Sequence, residues 1–539
     1  MTMATESRSD PFLGIALIVA AVSFNRPALC EIASDGHVGW PIAIGAFQAL
    51  VILMGLWVSL RGMPFRLPRV LRLMGAVGAL GLAAALVPAN LRAVGWLETR
   101  RPVLSDIRSE RLFPNDLNLQ GDPDFRAVPR STSATTGSAD GNASKFEFTE
   151  ADSPWWRGAT QDGHYDEAVA PNRWGPEENV AWSAPLPGFG HASPVVVGHR
   201  VFIFTADEET EQVMLLCLHR DSGQEMWRHT IHEEGFMFRH GKNSHASATP
   251  ACDGTRVFVA TINSGALVVT AIDFDGTRLW QKPVGKFTST WGYGSSPCLA
   301  GPFVVVNGEQ SKASFVAALD RITGEIAWRE PRPDGQNGSY GTPVAAEVAG
   351  KMQLLLAGPE VIMSHDPMTG KVIWSCRTSA TQFANTIAFS NDMVFASGAL
   401  GTPEIVCIKA DGVGDVSDTH VRWRTRRGTA YVSSPIYHAG RLYVVRNSGV
   451  VTCFDTSDGS KVWGGRLDGE FSASPVKIGS SLFVPNEEGD TIELAVGDEF
   501  KILGQYKLGR GGFASLVPSG DRLLIRSLDR LYCIATGSR

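Results

Sequence analysis

The polar side chains best suited to chemistry cluster in residues 232–245, which read HEEGFMFRHGKNSH. Histidines can transfer protons or bind metals, and Lys242, Asn243 and His245 could donate hydrogen bonds to an anionic ligand. The histidine spacing matches no metal-binding pattern, and neither a Ser-His-Asp geometry nor a catalytic carboxylate pair can be asserted from the stretch. It therefore predicts a binding site rather than a catalytic centre. The alternative is that these side chains only hold loops together.

Two later stretches carry further polar and aromatic candidates, WGY after Thr290 and RTRRGTAY before Val432. If all three stretches connect repeated units around a ring, they reach the mouth of one central channel, where such folds bind ligands. The basic residues among them would favour an anionic protein, peptide or glycan ligand. The predicted ligand-binding residues are Lys242, Asn243, His245, Trp291, Tyr293, Arg426 and Arg427.

The cysteines indicate packing rather than chemistry. The chain has eight, none adjacent to another and none in a Cys-x-x-Cys motif. Cys217, Cys407, Cys453 and Cys533 recur at one position of a repeat, and equivalent positions in successive units lie too far apart for disulfide geometry. We expect these cysteines to be small buried hydrophobes, and we predict no metal site.

A repeat unit organises most of the chain, and residues 431–463 show it most clearly as YVSSPIYHAGRLYVVRNSGVVTCFDTSDGSKVW. Short β-branched or aromatic runs are separated by Gly or Asp-Gly turns, which predicts four short strands. Ser-Pro or Thr-Pro opens most units, and a turn glycine stands four residues before a tryptophan in five of them. We predict that these tryptophans pack between units; with those of the less regular units they are Trp182, Trp227, Trp280, Trp328, Trp374, Trp423 and Trp463.

The number of strands predicts the architecture. Eight units begin, but only seven fourth strands follow, the seventh at Phe500–Leu503 without a tryptophan, and the eighth unit stops at Leu531–Ala535. Asn179–Trp182 supplies a fourth strand upstream, and pairing it with the last unit would leave no exposed sheet edge. The sequence thus predicts an all-β fold, an eight-bladed β-propeller of four-stranded blades over residues 151–539. Residues 153–158, SPWWRG, are predicted to dock on it as a lead-in segment.

The chain before the propeller is of a different kind. Apolar stretches at Phe12–Ile32, Trp40–Leu60 and Val70–Trp96 predict two or three transmembrane helices within residues 1–97. The first stretch is interrupted by Asn25, Arg26 and Pro27 and could instead be a signal-like segment. Residues 98–150 include the small polar run STSATTGSADGNAS and predict a flexible linker.

Charge gives the predicted location. Arg61, Arg66, Arg69 and Arg72 lie between the second and third apolar stretches, which places that loop in the cytoplasm and the propeller in the periplasm or extracytoplasmic space. The partners expected are therefore the cytoplasmic membrane and a ligand at the channel mouth. The net charge of −6 argues against a nucleic-acid partner.

The repeat, ending in Asp-x-x-Thr/Asp-Gly-x-x-x-Trp, resembles that of the pyrroloquinoline quinone (PQQ)-type propeller family. This resemblance implies one of two roles. Dehydrogenases of the family hold the quinone and calcium in the channel, and many cover the cofactor with a disulfide between adjacent cysteines, which this chain lacks. A non-catalytic branch, including an outer-membrane assembly lipoprotein, uses the ring as a scaffold. The resemblance therefore favours a membrane-anchored binding module without cofactor, with a divergent quinoprotein dehydrogenase binding PQQ and calcium as the alternative.

Overall fold

The computed structural model describes residues 147–333, 338–509 and 511–537. Within these ranges the chain forms strands, turns and loops and no helix, and eight sheets form an eight-bladed β-propeller, as predicted. Accordingly, no helix in the described part of the chain is long and apolar enough to cross a membrane. The predicted membrane helices of residues 1–97 and nearly all of the predicted linker lie outside the described residues.

Each of the first four blades is an antiparallel sheet whose strands pair in chain order. Blades one and two consist of Val195–Val197, Arg200–Asp207, Gln212–His219 and Glu225–Glu233, then Ala251–Cys252, Arg256–Asn263, Ala266–Asp273 and Arg278–Lys286. Blades three and four consist of Cys298–Ala300, Phe303–Gly308, Phe315–Asp320 and Ile326–Pro331, then Val344–Val348, Lys351–Gly358, Val361–His365 and Val372–Arg377.

The remaining blades follow the same order. Blades five and six consist of Ala388–Phe389, Met393–Gly398, Glu404–Lys409 and Val421–Thr425, then Ile436–His438, Arg441–Val445, Val450–Asp455 and Lys461–Arg466. Blade seven consists of Val476–Ile478, Ser481–Pro485, Asp490–Ala495 and Ile502–Lys507, so its fourth strand begins later than the sequence suggested. Blade eight consists of Val517–Ser519, Arg522–Arg526 and Arg530–Ala535, and Val180–Pro185 pairs antiparallel with the last of these.

Short additional strands connect neighbouring parts of the ring. His164–Tyr165 pairs parallel with the first strand of blade seven, and Ala380–Gln382 pairs with Leu400–Gly401. Gly414–Asp415 belongs to the insertion that precedes Trp423 and pairs parallel with the outer strand of blade four. The insertion that interrupts the repeat therefore joins two blades.

Strand order defines two faces of the ring. The first strand of each blade is innermost, because first strands of successive blades contact one another. Strand direction alternates, so the turns between first and second and between third and fourth strands share one face, which we call the turn face. The turns between second and third strands and the connections between blades share the opposite face, which we call the loop face.

The repeated tryptophans join each blade to the next. Trp182, on the strand paired with blade eight, donates its indole N–H to the Arg220 carbonyl in blade one at 2.8 Å. The corresponding bonds run from Trp227 to Phe274, Trp280 to Arg321, Trp328 to Pro367, Trp423 to Thr456 and Trp463 to Gly497. Blade-to-blade contact is thus both apolar and hydrogen-bonded.

The turn glycine is present because the neighbouring tryptophan leaves no room for a side chain. Gly223 has a φ of +68°, and a Cβ there would lie 2.4 Å from the Trp182 ring. The glycines of the next turns lie against the preceding tryptophan in the same way, for example Gly276 against Trp227. The four-residue step between glycine and tryptophan therefore places the two residues in separate contacts, one with each neighbouring blade.

Trp374 departs from this arrangement. It is fully buried, and its indole N–H donates to the Gln353 side chain of its own blade at 2.8 Å. The Gln353 side chain also accepts from Ser364 and donates to the Ala410 carbonyl of blade five. The hydrogen bond between blades four and five is therefore donated by the buried Gln353 amide and not by a tryptophan.

Candidate ligand-binding site around the channel

A belt of hydroxyl groups surrounds the channel at the start of the first strands. The backbone N–H of the Ser or Thr in one blade donates to the hydroxyl of the equivalent residue in the next, for example Thr249 to Ser296 at 2.9 Å. The other bonds run from Ser193 to Thr249, Ser296 to Thr342, Thr386 to Ser434, Ser434 to Ser474 and Ser474 to Ser515. The Ser-Pro and Thr-Pro landmarks of the repeat thus link the blades.

Two junctions of the belt use other groups. Between blades eight and one, the Ser193 hydroxyl donates to the Ser515 carbonyl at 3.1 Å. Near blade five, the Asn385 amide donates to the carbonyls of Ser397, Ala430 and Tyr431. The Asn385 amide therefore adds a link between blades five and six beside the Thr386–Ser434 contact.

The lead-in segment lies inside the ring rather than on its outside. Residues 151–169, which we call the axial segment, hydrogen-bond with the first strand, or with a residue within two positions of it, in all eight blades. In order of blade, the partners are Val196, Cys252, Cys298, Ala345, Thr386, Pro435, Lys477 and Ser519. Only a segment on the ring axis can reach all eight, so the axial segment fills the centre of the channel.

Trp156 and Arg157 anchor the axial segment most deeply. The Trp156 indole donates to the Thr386 hydroxyl of the belt at 2.9 Å. Arg157 is buried, and its guanidinium donates to the carbonyls of Asp162 and Pro435. Burial lowers the pKa of Arg157 to about 10, and two of its nitrogens have no partner among the described residues. Its bond to the Pro435 carbonyl joins the axial segment to blade six.

The seven predicted ligand residues lie in connections between blades and therefore on the loop face, but they form separate groups. The Lys242 ammonium lies 3.2 Å from the Glu487 carboxylate of blade seven. Glu487 also accepts a hydrogen bond from Ser472 at 2.6 Å. The Lys242 side chain is thus half exposed and already paired, and its contact spans part of the channel mouth.

Asn243, His245 and Trp291 are joined to their own surroundings. Asn243 donates to the Trp291 carbonyl at 2.7 Å and accepts from Ser247. His245 stacks on Phe236 with ring centroids 3.9 Å apart. Burial, followed by the nearby Arg239, lowers the pKa of His245 to about 4, so this imidazole is neutral at pH 7. These contacts rigidify the connection between blades one and two.

Tyr293 lies in the core of blades two and three. Its side chain is 8% exposed, and its hydroxyl donates to the Asn307 carbonyl at 3.1 Å. Burial raises the pKa of its phenol. The structure therefore gives Tyr293 a packing position and no access to the channel mouth.

Arg426 and Arg427 are the exposed candidates. Both lie beyond the outer strand of blade five, and neither forms an ion pair within the described ranges. They line a cavity of about 450 Å³ together with Glu404, Arg424 and Thr425. Arg424 is paired with Glu404 at 2.7 Å, so the free positive charge of this cavity comes from the other two arginines.

The predicted positive patch is consequently smaller than the sequence suggested. The basic residues between blades one and two are compensated, since Arg239 pairs with Glu208 and Lys242 with Glu487. The connection carrying Arg426 lies four blades away on the other side of the ring. Charge partners distant in sequence could not be assigned from the loops alone, although the run RWRTRR at residues 422–427 marks the remaining basic cluster.

A second buried polar cluster lies between blades three and four. The Arg332 guanidinium lies 2.6 Å from the Glu309 carboxylate, and both side chains are fully buried. His365 lies 3.1 Å from another nitrogen of Arg332, and its Nδ1 lies 2.8 Å from the Gly370 carbonyl. Nδ1 must donate to that carbonyl, so Nε2 is free to accept from Arg332 only in the neutral imidazole.

This cluster predicts a pH dependence of stability. Burial, with the adjacent Arg332, lowers the pKa of His365 from 6.5 to about 4. Below pH 6.5 the unfolded chain takes up a proton that the folded chain refuses, so stability falls between pH 6.5 and 4 and then levels off. This histidine alone is expected to contribute a loss of up to about 3 kcal/mol.

Urea unfolding of the protein and of His365→Gln at pH 7 and pH 4 measures this effect. The variant retains a donor and an acceptor but does not titrate. The difference in free energy of unfolding between the natural protein and the variant should therefore shrink on acidification. Burial raises the pKa of Glu309 and gives an opposite trend, but that carboxyl is present in both proteins. An unchanged difference would contradict the assignment.

The residues around the channel do not fit a quinone with calcium. Trp156 and Arg157 occupy the axis up to the hydroxyl belt. Across the described ranges there is no group of three His, Cys, Asp or Glu side chains that could hold a metal ion. The seven cysteines that the structure describes are buried and unpaired, so none of them forms a disulfide over a cofactor.

Comparison with known proteins supports the repeat assignment. A family model described as outer membrane protein assembly factor BamB matches residues 212–464 and 409–498, together more than half of the chain. No curated protein matches the sequence.

Solved structures resemble the propeller at low sequence identity. BamB from Moraxella catarrhalis is 15% identical, with a TM-score of 0.49, covering 66% of this chain and 98% of that protein. A europium-containing methanol dehydrogenase is 14% identical, with a TM-score of 0.51, covering 72% of this chain and 99% of that protein. At such identities the dehydrogenase shows a shared fold and nothing further about function.

Proposed function

The chain belongs to the family of the outer membrane protein assembly factor BamB, and from that premise we propose that it is a membrane-anchored β-propeller acting as a binding or scaffolding module. In this proposal, residues 1–97 anchor the protein in the cytoplasmic membrane and residues 98–150 form the linker. The propeller then faces the periplasm or extracytoplasmic space. The arginine distribution described above supports this orientation.

One observation carries the choice of a binding module. The axial segment contacts the inner strands of all eight blades and fills the channel centre, so the space in which a quinone would sit is taken by the chain itself. Binding then uses the surfaces of the ring instead of its interior. The pairing of Val180–Pro185 with the last strand supports the further proposal that this strand closes the ring.

The loop face offers a ligand site at Arg426 and Arg427. Two exposed guanidiniums beside a cavity of about 450 Å³ favour carboxylate groups, because each can form charge-assisted, bidentate hydrogen bonds. We assign this site an anionic ligand such as an acidic peptide or an acidic glycan. Lys242 is excluded from it because Glu487 already neutralises its charge.

We predict that Arg426→Ala combined with Arg427→Ala weakens binding of an oligoglutamate peptide or a hyaluronate oligosaccharide about tenfold, as expected for two exposed charge contacts. Because counter-charges are lost, the salt dependence should also become shallower. Fluorescence anisotropy at several salt concentrations measures both effects. Lys242→Ala is the matched control and should bind like the natural protein. If Lys242→Ala weakened ligand binding equally, Arg426 and Arg427 would not form the ligand site.

We also predict that the purified protein shows no quinone chromophore and gains no dye-linked dehydrogenase activity on addition of PQQ with calcium. The reason is steric, because Trp156 and Arg157 hold the axial segment in the channel centre. Absorption spectra and dye reduction with alcohols and glucose provide the measurement. Saturable PQQ binding with activity would overturn the binding-module proposal in favour of a dehydrogenase.

A further inference from the structure

Exposed apolar side chains are divided unevenly between the two faces. Of the eleven large apolar side chains that are exposed in the described residues, ten lie at the turn face and only Phe238 lies at the loop face. We call the ten the apolar rim; they are Val169, Met226, Leu279, Ile322, Met352, Met368, Val372, Val413, Ile502 and Leu503. Scattered exposed hydrophobes would be distributed over both faces.

Strand order assigns these residues to the turn face. Ile322 and Met368 lie in the turns between third and fourth strands of blades three and four, and Met352 follows a first turn. Others, such as Val372, lie at the start of an outer strand. Val169 belongs to the axial segment, and its backbone N–H donates to the Gly520 carbonyl in a turn of blade eight.

The rim is densest over blades three and four. The side chains of Ile322, Met352 and Met368 are exposed by 67%, 53% and 52%. The two methionines line a cavity of about 570 Å³ whose other walls include Trp155 and Leu299. Flexible thioethers beside an open apolar cavity adapt to apolar surroundings of irregular shape.

The charges near the densest part of the rim are of both signs. Lys351 and Lys371 are exposed next to the densest part and form no ion pair within the described ranges. Near Val413, the carboxylates of Asp415 and Asp418 lie beside Arg377. A lipid surface would therefore meet free ammonium groups as well as carboxylates such as Asp320 and Asp366, which accept from backbone N–H groups of their own turns and form no ion pair within the described ranges.

The chain also reaches the propeller at this face. The Ala151 carbonyl accepts from the Ser519 hydroxyl, and the Asp152 carboxylate accepts from the Gly198 N–H, both partners lying at turns between first and second strands. The described chain therefore begins beside the apolar rim. A tether joined at one face brings that face, on average, closer than the opposite face to whatever holds the preceding chain.

We propose that the turn face docks on the surface of the lipid bilayer, with the apolar rim entering the interfacial region and the loop face pointing away. This inference rests on the membrane anchoring in the proposed function. A tether raises the effective concentration of the propeller at the bilayer, so a shallow apolar surface is sufficient for docking. The ligand site at Arg426 and Arg427 is thereby directed to the aqueous side.

Lipid-borne quenching in the full-length protein tests this orientation. Single cysteines replace Met368 or Phe238 in a Cys30→Ser background; the seven described native cysteines are buried and react poorly. Each variant carries an environment-sensitive fluorophore and is reconstituted in phosphatidylcholine–phosphatidylglycerol vesicles containing nitroxide-labelled lipid. We expect about twofold quenching at position 368 and little at position 238, because only the rim reaches the bilayer interface.

Controls separate docking from anchoring. Ile322→Asp with Val372→Asp should reduce quenching at position 368, whereas Phe238→Asp should leave it unchanged. Protein that does not float with the vesicles would refute the anchoring. Protein that floats but shows equal quenching, or none, at both positions would overturn the docking. A rim that binds an apolar protein instead of lipid would also leave position 368 unquenched and would overturn it.

Discussion

A chain truncated to begin at Leu186 is expected to lose cooperative folding and aggregate. This truncation removes the axial segment, which bonds to all eight blades, and Val180–Pro185, which pairs with the third strand of blade eight. The last blade would then present an unpaired strand edge. Trp182 would also be missing from its contact with the Gly223 turn of blade one. The unpaired edge and the loss of Trp182 both act on the junction between blades eight and one, whereas the loss of the axial segment affects every blade.

Two shorter truncations provide the comparison. A chain beginning at Glu147 retains both elements and should unfold in one cooperative transition, measured by circular dichroism and size-exclusion chromatography. A chain beginning at Pro171 retains the pairing strand but lacks the axial segment, and should be soluble with a lower midpoint of unfolding. If all three behaved alike, neither element would stabilise the ring.

Removal of an interblade tryptophan should have the next largest effect. Trp328→Ala and Trp423→Ala are each expected to lower the free energy of unfolding by about 3–5 kcal/mol, as for other large core truncations. Each side chain is almost fully buried and packs on the turn glycine of the next blade. Each substitution would also leave a carbonyl oxygen of that turn without its donor.

Urea unfolding of the alanine variants and of Trp328→Phe separates the two contributions. Phenylalanine retains most of the ring volume but cannot donate, so it should cost on the order of 1 kcal/mol for the lost hydrogen bond plus a smaller packing term. Trp374→Ala should be as costly as the others, since Trp374 is fully buried and bonded to Gln353. A loss below about 1 kcal/mol for the alanine variants would show that the tryptophans do not hold blades together.

The propeller was predictable because each repeat needs the same turn residues, so the same sequence pattern recurs several times. Asp320 to Gly324 and Asp455 to Gly459 mark the same turn, and each turn glycine must leave space for a neighbouring indole. Short β-branched strands cannot bury their faces alone, so repetition of the unit determined the architecture. The buried cysteines followed from the same periodicity.

The site was harder to predict because its contacts join residues far apart in sequence. Lys242 appeared free and cationic, yet Glu487, 245 positions later, lies beside it. Tyr293 appeared to belong to an open loop but is buried under the Asn307 carbonyl. Among the predicted basic residues, only Arg426 and Arg427 remained unpaired, because no carboxylate in the described residues lies within ion-pair distance of them.

The sequence by itself determined the repeat, the number of blades and the positions of the interblade tryptophans, because local spacing sets turns and strand lengths. Tertiary structure alone decided that SPWWRG enters the channel, that the Ser and Thr hydroxyls of the repeat form a belt, and that exposed apolar side chains gather on one face. These features depend on ring closure, which brings eight first strands around one axis and assigns every turn to one of two faces. A linear pattern carries no information on that convergence, since each contact involves residues whose proximity exists only in the closed ring.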